Sequence, residues 1–122
     1  MPKQIIARGK IIPIEDIPEA IRPDNWFENP DWRYRIDRGD LQPMMETLFS
    51  GGSLSEESIK RLAQYIIDYA ASVATATYIY SDGKILEYNA ECLRRLREID
   101  AKTEEDIHEM INIGMDYALD FF

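Results

Sequence analysis

The chain has 122 residues, of which 45% are hydrophobic, and it carries a formal net charge of −9 at pH 7. This length and apolar content are typical of one folded domain, so two domains or a wholly disordered chain are not expected. The negative charge opposes non-specific binding to nucleic-acid phosphates and anionic membranes, and it favours a partner with a positive surface.

The N-terminal third is predicted to contain little regular structure. Gln4–Ile14 is rich in isoleucine and is interrupted at Arg8-Gly9-Lys10, which predicts either an edge strand with a bulge or a very tight hairpin. Four of the six prolines lie between Pro13 and Pro30 and exclude long elements there, although Asp16–Ile21 can form one helical turn.

An aromatic loop follows this turn. Its four large rings are too many to leave in water, so we expect the loop to fold back over the helices as a compact, packed loop. The rings belong to Trp26, Phe27, Trp32 and Tyr34.

Two helix starts are predicted in the middle of the chain. Asp40 is a candidate N-cap for a short helix through Phe49, which Gly51-Gly52 would end. Ser53 and Glu56 have the spacing of a capping box for the next helix. The exposed face predicted for that helix consists of Lys60, Arg61, Gln64, Asp68, Ser72 and Thr75.

The end of this helix is ambiguous in the sequence, because Ile79 would fall within its polar face. A β-hairpin over Thr77–Tyr88 that turns at Asp82-Gly83 removes this misfit and makes Asn89 the N-cap of a helix to about Ile99. A continuous long helix is the alternative, since no helix breaker precedes the turn.

The predicted fold class is therefore α+β, a mainly helical single domain over residues 1–122. The N-terminal strand and the hairpin 77–88 would form its small antiparallel sheet. Residues 1–52 would supply the strand, the aromatic loop and a short helix, and residues 53–122 a helix, the hairpin and two helices. An all-α bundle is the alternative.

The last helix carries the clearest pattern in the chain. Thr103 is its predicted N-cap, and the side opposite the carboxylates is apolar. Four carboxylates recur at steps of four, seven and four, which places them on one side of a helix together with Asn112. We call these carboxylates the acidic ridge: Glu105, Glu109, Asp116 and Asp120. The ridge would extend about 22 Å at the helical rise.

Catalytic and metal-binding patterns are weak. His108 follows Glu105 at a spacing used by di-iron helical bundles, but such sites need two pairs and the chain has one histidine. Cys92 falls on the apolar side of its helix, where a free cysteine is usually an inert core residue. We therefore predict no enzyme activity, no catalytic residue, no metal and no cofactor.

A second candidate binding segment lies in the aromatic loop. Trp26, Trp32, Arg33 and Arg35 are of the types enriched at protein-interface hot spots. The same aromatic and arginine mixture occurs at stacked nucleic-acid sites, but the net charge argues against direct nucleic-acid binding.

The predicted function is a non-enzymatic acidic binding protein, an inhibitor or accessory factor. Its acidic ridge would engage a basic protein. That partner could be a nucleic-acid-binding protein, in which case the ridge would imitate the charge of DNA. The alternative is an assembly subunit or homodimer that buries the apolar face of the last helix across a two-fold interface. One cysteine, no signal-peptide pattern and no membrane-length apolar run predict a cytoplasmic location.

Overall fold

The computed structural model describes residues 4–7, 10–22, 38–84, 86–117 and 119. In chain order, the described elements are strands β1 (Gln4–Ala7) and β2 (Lys10–Pro13), two 3₁₀ turns (Ile14–Asp16 and Glu19–Ile21), and helices α1 (Arg38–Phe49), α2 (Glu56–Tyr80), α3 (Leu86–Arg97) and α4 (Glu104–Asp116). The predicted aromatic loop lies outside these residues.

The predicted fold class, α+β with a sheet built on the hairpin 77–88, is wrong. Residues 77–80 continue α2, and Leu86 begins α3, so the packed body of the chain is all-helical. The strand pairing among the described residues is local: β1 pairs with β2 in an antiparallel ribbon, with Ile5 opposite Ile12. Of the residues described between 77 and 88, none joins this ribbon.

The long helix α2 is the centre of the fold. It contacts α1, α3, α4 and the second 3₁₀ turn. Its 25 residues correspond to about 37 Å at the helical rise, enough to reach every other helix. The buried hydrophobic core around it consists of Ile17, Ile21, Met45, Leu48, Ile59, Leu62, Tyr65, Ile66, Ala70, Ala71, Ala74, Cys92, Leu93, Leu96, Ile107, Met110, Ile111 and Ile113.

The face of α2 predicted to meet solvent is partly buried instead. Asp68 is fully buried and has an interaction partner in the fold, and Thr75 is 1% exposed. The Thr75 hydroxyl donates a hydrogen bond of 2.9 Å to the carbonyl oxygen of Ile21. Ile79 is partly buried and packs against the core as part of the helix.

The turn between α2 and α3 keeps the left-handed geometry that the Asp82-Gly83 sequence predicts, in a different setting. Asp82 has φ of 56° and Gly83 φ of 82°. The Gly83 N–H donates to the carbonyl oxygen of Tyr78 at 2.9 Å, the six-to-one bond of a Schellman helix end. Asp-Gly therefore ends a helix here, which requires the same positive φ as a hairpin turn.

The start of α1 differs from its prediction. α1 begins at Arg38, so Asp40 lies inside the helix and is not its N-cap. Its predicted end is correct, since α1 stops at Phe49 and Gly51 follows with φ of 80°.

Two of the other three helix starts also differ. The N-cap of α2 is Ser55, whose hydroxyl accepts from the Ser58 N–H at 3.1 Å, so the Ser53–Glu56 capping box is wrong. Asn89 lies within α3, so it caps nothing. The predicted cap Thr103 is confirmed.

We expect Gly83→Val to lower the free energy of unfolding by about 1–2 kcal/mol or more, because a β-branched residue is strained at positive φ. A Cβ at this position would also lie 3.1 Å from Cε2 of Tyr78. Urea unfolding measures the change. Gly51→Val separates the two causes, since Gly51 also has a positive φ of 80° but nothing within 4 Å of its Cβ position; it should show the loss from backbone strain without that from the Tyr78 contact. Unchanged stability of Gly83→Val would contradict this account of the turn.

Candidate interaction surface on the last helix

The sequence before α4 fixes where that helix begins. The Thr103 hydroxyl accepts from the Asp106 N–H at 3.3 Å. In return, the Asp106 carboxylate accepts from the N–H groups of Thr103 at 3.0 Å and Lys102 at 2.8 Å. These bonds satisfy backbone donors that the first helical turn leaves without partners. The hydrogen bonds from Lys102 and Thr103 lower the pKa of Asp106, so their stabilising effect is present at neutral pH and is lost as the pH falls.

A contact between distant parts of the chain attaches this start to the rest of the fold. The Glu104 carboxylate accepts a hydrogen bond of 2.8 Å from the backbone N–H of Leu54, in the loop between α1 and α2. This bond lowers the pKa of Glu104, because it favours the charged carboxylate. Sequence reasoning missed the contact, since no local pattern connects residues 50 positions apart.

The inner side of α4 is buried within the chain. Ile107 and Met110 are fully buried, Ile111 is 8% exposed, and Gly114 is also buried, as the periodicity predicts. Ile113 is buried too. This packing against the core prevents the helix from rotating, so the backbone of its outer side has a fixed position.

The outer side of α4 presents three residues of the acidic ridge. Glu105, Glu109 and Asp116 are exposed, and so is Asn112 between them. Glu105 and Glu109 form no ion pair with any described residue. The fourth ridge residue, Asp120, lies outside the described residues, as do Trp26, Trp32, Arg33 and Arg35 of the second candidate segment.

Arg95 of α3 lies beside Asp116, the last described residue of the ridge. Its guanidinium lies 4.0 Å from the Asp116 carboxylate, whose side chain is 67% exposed. An exposed pair at this distance contributes about 0–1 kcal/mol, so Asp116 stays accessible. The guanidinium also lies 5.6 Å from the ring centroid of Tyr117, whose ring packs 5.0 Å from that of Tyr88. These contacts attach the end of α4 to α3.

Two exposed apolar side chains lie beside the ridge. Phe49, at the end of α1, is 57% exposed, and Met115 of α4 is 63% exposed. The Phe49 ring lies 6.1 Å from the exposed His108 ring, in an edge-to-face arrangement. Sequence reasoning missed this strip. The signal for it was Met115, an apolar residue outside the apolar face of α4.

An open groove of about 840 Å³ lies between the second 3₁₀ turn and α3. Its arginines already have partners in the fold. Arg94 pairs with Glu98 at 2.8 Å, and Arg97 donates to the carbonyl oxygens of Ala20 at 3.0 Å and Arg22 at 2.7 Å. The groove therefore offers little free positive charge to a ligand.

No group of three or more His, Cys, Asp or Glu side chains in the described residues is placed to hold a metal ion. In the same part of the chain, no helix is both long enough and apolar enough to cross a membrane.

Cys92 is buried, as predicted, with 3% of its surface exposed. Burial raises the pKa of its thiol to about 11, and the opposing effect of the Arg95 charge is smaller. At neutral pH the group is therefore a thiol, which is a poor nucleophile.

We expect Cys92 in the native protein to react with a thiol reagent at pH 7.5 far more slowly than in the unfolded chain. Mass spectrometry after timed quenching measures the labelled fraction. The same protein in denaturant is the control and should label fully. Stoichiometric labelling of folded protein within minutes would contradict the prediction and show that the thiol is accessible.

Compared with protein-family models, with curated proteins and with solved structures, the chain shows no match. Its function must therefore be inferred from its own residues.

Proposed function

We propose that this chain is a non-enzymatic binding protein, an inhibitor or accessory factor, whose acidic ridge engages a basic protein surface. The observation that carries the proposal is the row of exposed carboxylates at Glu105, Glu109 and Asp116 on a helix whose start and inner side are both fixed. Because the helix is already ordered, binding costs only the entropy of ordering the ridge side chains and none for folding the backbone.

The charge of the chain favours a basic partner. A protein with a net charge of −9 repels phosphate backbones and attracts positive surfaces over long range. From Glu105 to Asp116 the ridge spans about 16 Å. One DNA strand carries a charge about every 3.4 Å, so it would place about five phosphates in that length. Three carboxylates over the same length give the ridge a lower charge density than DNA. A basic protein surface in general is therefore the proposed partner.

The positions of Cys92 and His108 support a non-enzymatic function. Cys92 is buried with a raised thiol pKa, whereas His108 is exposed on the outer side of α4 and contacts Phe49. A cysteine–histidine catalytic pair needs an accessible, low-pKa thiolate, and Cys92 lacks these properties.

The homodimer alternative required the apolar face of α4 to be available. Ile107, Met110, Ile111 and Gly114 are buried within the chain itself. These buried residues are not available to form the two-fold interface that the sequence suggested, and we propose no second function.

Affinity capture tests the proposal. The tagged chain is incubated with lysate of its source cells at low salt, and bound proteins are eluted with a salt gradient. We expect a partner of positive net charge that elutes as ionic strength rises, because exposed charges are screened within a Debye length of about 10 Å at 0.1 M salt. A sole partner that stays bound at 1 M salt would contradict the proposal.

A further inference from the structure

A strip of exposed apolar and aromatic side chains borders the acidic ridge. A partner that binds the ridge would also contact this strip. We call it the apolar flank: Phe49, His108 and Met115. Phe49 is 57% and Met115 63% exposed. These two side chains border one charged row, so the ridge has an apolar edge that a partner can cover.

The apolar flank and the ridge run side by side along α4. His108 and Met115 are seven residues apart, two helical turns, so they lie on the same side of the helix. Asn112 of the outer side lies between them, four residues after one and three before the other. Phe49 extends the strip at the His108 end, with a ring separation of 6.1 Å. The result is a charged row and an apolar row on one surface.

Charge decides the occupant of this surface. A second copy of the chain would bring two sets of ridge carboxylates together, and its net charge is also −9. Nucleic acids and anionic membranes are repelled for the same reason. A partner must instead supply cations at helical spacing and apolar groups beside them.

We infer that the surface binds a basic amphipathic α-helix of a partner protein, laid along α4, with lysines or arginines facing the ridge and apolar residues covering Phe49 and Met115. This inference rests on the proposed function and names the kind of partner. Helices recognised in this way present anchors at i, i+3, i+4 and i+7, which matches the steps of four and three on the outer side of α4. Met115 suits the contact, because the flexible thioether adapts to different apolar partners.

Two synthetic peptides of equal composition test the inference. Both contain about 18 lysine and leucine residues; the first separates them onto two helix faces, and the second mixes them on every face. Fluorescence anisotropy measures the affinity of each labelled peptide for the chain at several salt concentrations. We expect the first peptide to bind about tenfold more tightly than the second, because only the first can cover the apolar flank.

The double variant Phe49→Ser, Met115→Ser is expected to lose about this tenfold preference while its salt dependence stays unchanged. The control Tyr80→Ser removes an exposed large side chain of α2, which is 53% exposed, and should keep the preference. Circular dichroism verifies the fold of each variant, and Met115→Gln alone provides a milder test.

Equal binding of the two peptides, or an unchanged preference in the flank variant, would overturn the inference. The proposed function fails separately, and it does so if Glu105→Lys with Glu109→Lys leaves the binding of both peptides unchanged. A loss of binding in that ridge variant together with equal peptide affinities would support the ridge and reject the amphipathic helix.

Discussion

Ile107→Ala is expected to lower the free energy of unfolding by about 2–5 kcal/mol, the range for removing a large aliphatic side chain from a core. Ile107 is fully buried on the inner side of α4, so its removal leaves a cavity where this helix meets the rest of the core. Small domains have total stabilities of about 5–15 kcal/mol, so the loss is a large fraction. Urea unfolding should record the loss, and thermal unfolding should show a Tm lower by roughly 10 °C or more.

Met115→Ala is the control for this substitution. Met115 lies on the same helix but is 63% exposed, so we expect a change within about 0.5 kcal/mol. Similar losses in the two variants would show that α4 does not pack as described. The comparison separates the packing of the inner side from any effect of the substitutions on helix propensity.

Reversing the ridge should abolish binding to a basic partner while the fold remains intact. The sequence suggests lysine at Glu105, Glu109, Asp116 and Asp120. The structure refines this set, because lysine at 116 would face Arg95, 4.0 Å from the present carboxylate. We therefore expect Glu105→Lys, Glu109→Lys and Asp116→Asn to suffice, with a small stability cost because Glu105 lies in the first turn, where the helix dipole favours acids.

Binding kinetics at several salt concentrations measure the effect on a partner obtained by affinity capture. The association rate of the wild-type chain should fall as salt rises, since exposed charges mainly accelerate encounter. The control variant Glu15→Lys, Glu19→Lys, Glu87→Gln makes the same change in net charge at exposed positions outside α4. It should keep binding.

A folded ridge variant with wild-type affinity would contradict the proposed function. The next segment to test would then be the one that contains Trp26, Trp32, Arg33 and Arg35.

Features of α4 were predictable because they depend on a few neighbouring residues. A cap is completed within four residues, so Thr103 could be identified directly. The division of α4 into a buried side with Ile107 and Met110 and an outer side with Glu105 and Glu109 follows from a period of 3.6 residues in one helix. No contact with a distant residue was needed to predict which side of this helix each residue occupies.

The middle of the chain could not be predicted, because distant contacts decide it. Asp82-Gly83 determined a left-handed turn, but a hairpin and a helix end both need one, and the local sequence does not distinguish them. The N-terminal segment resolved this ambiguity by covering a second face of α2, where Thr75 bonds to Ile21, 54 residues away. Ile79 packs against the core as part of α2. The sequence by itself thus determined the turn and the acidic ridge, whereas tertiary packing decided that α2 is long and that Phe49 lies beside His108.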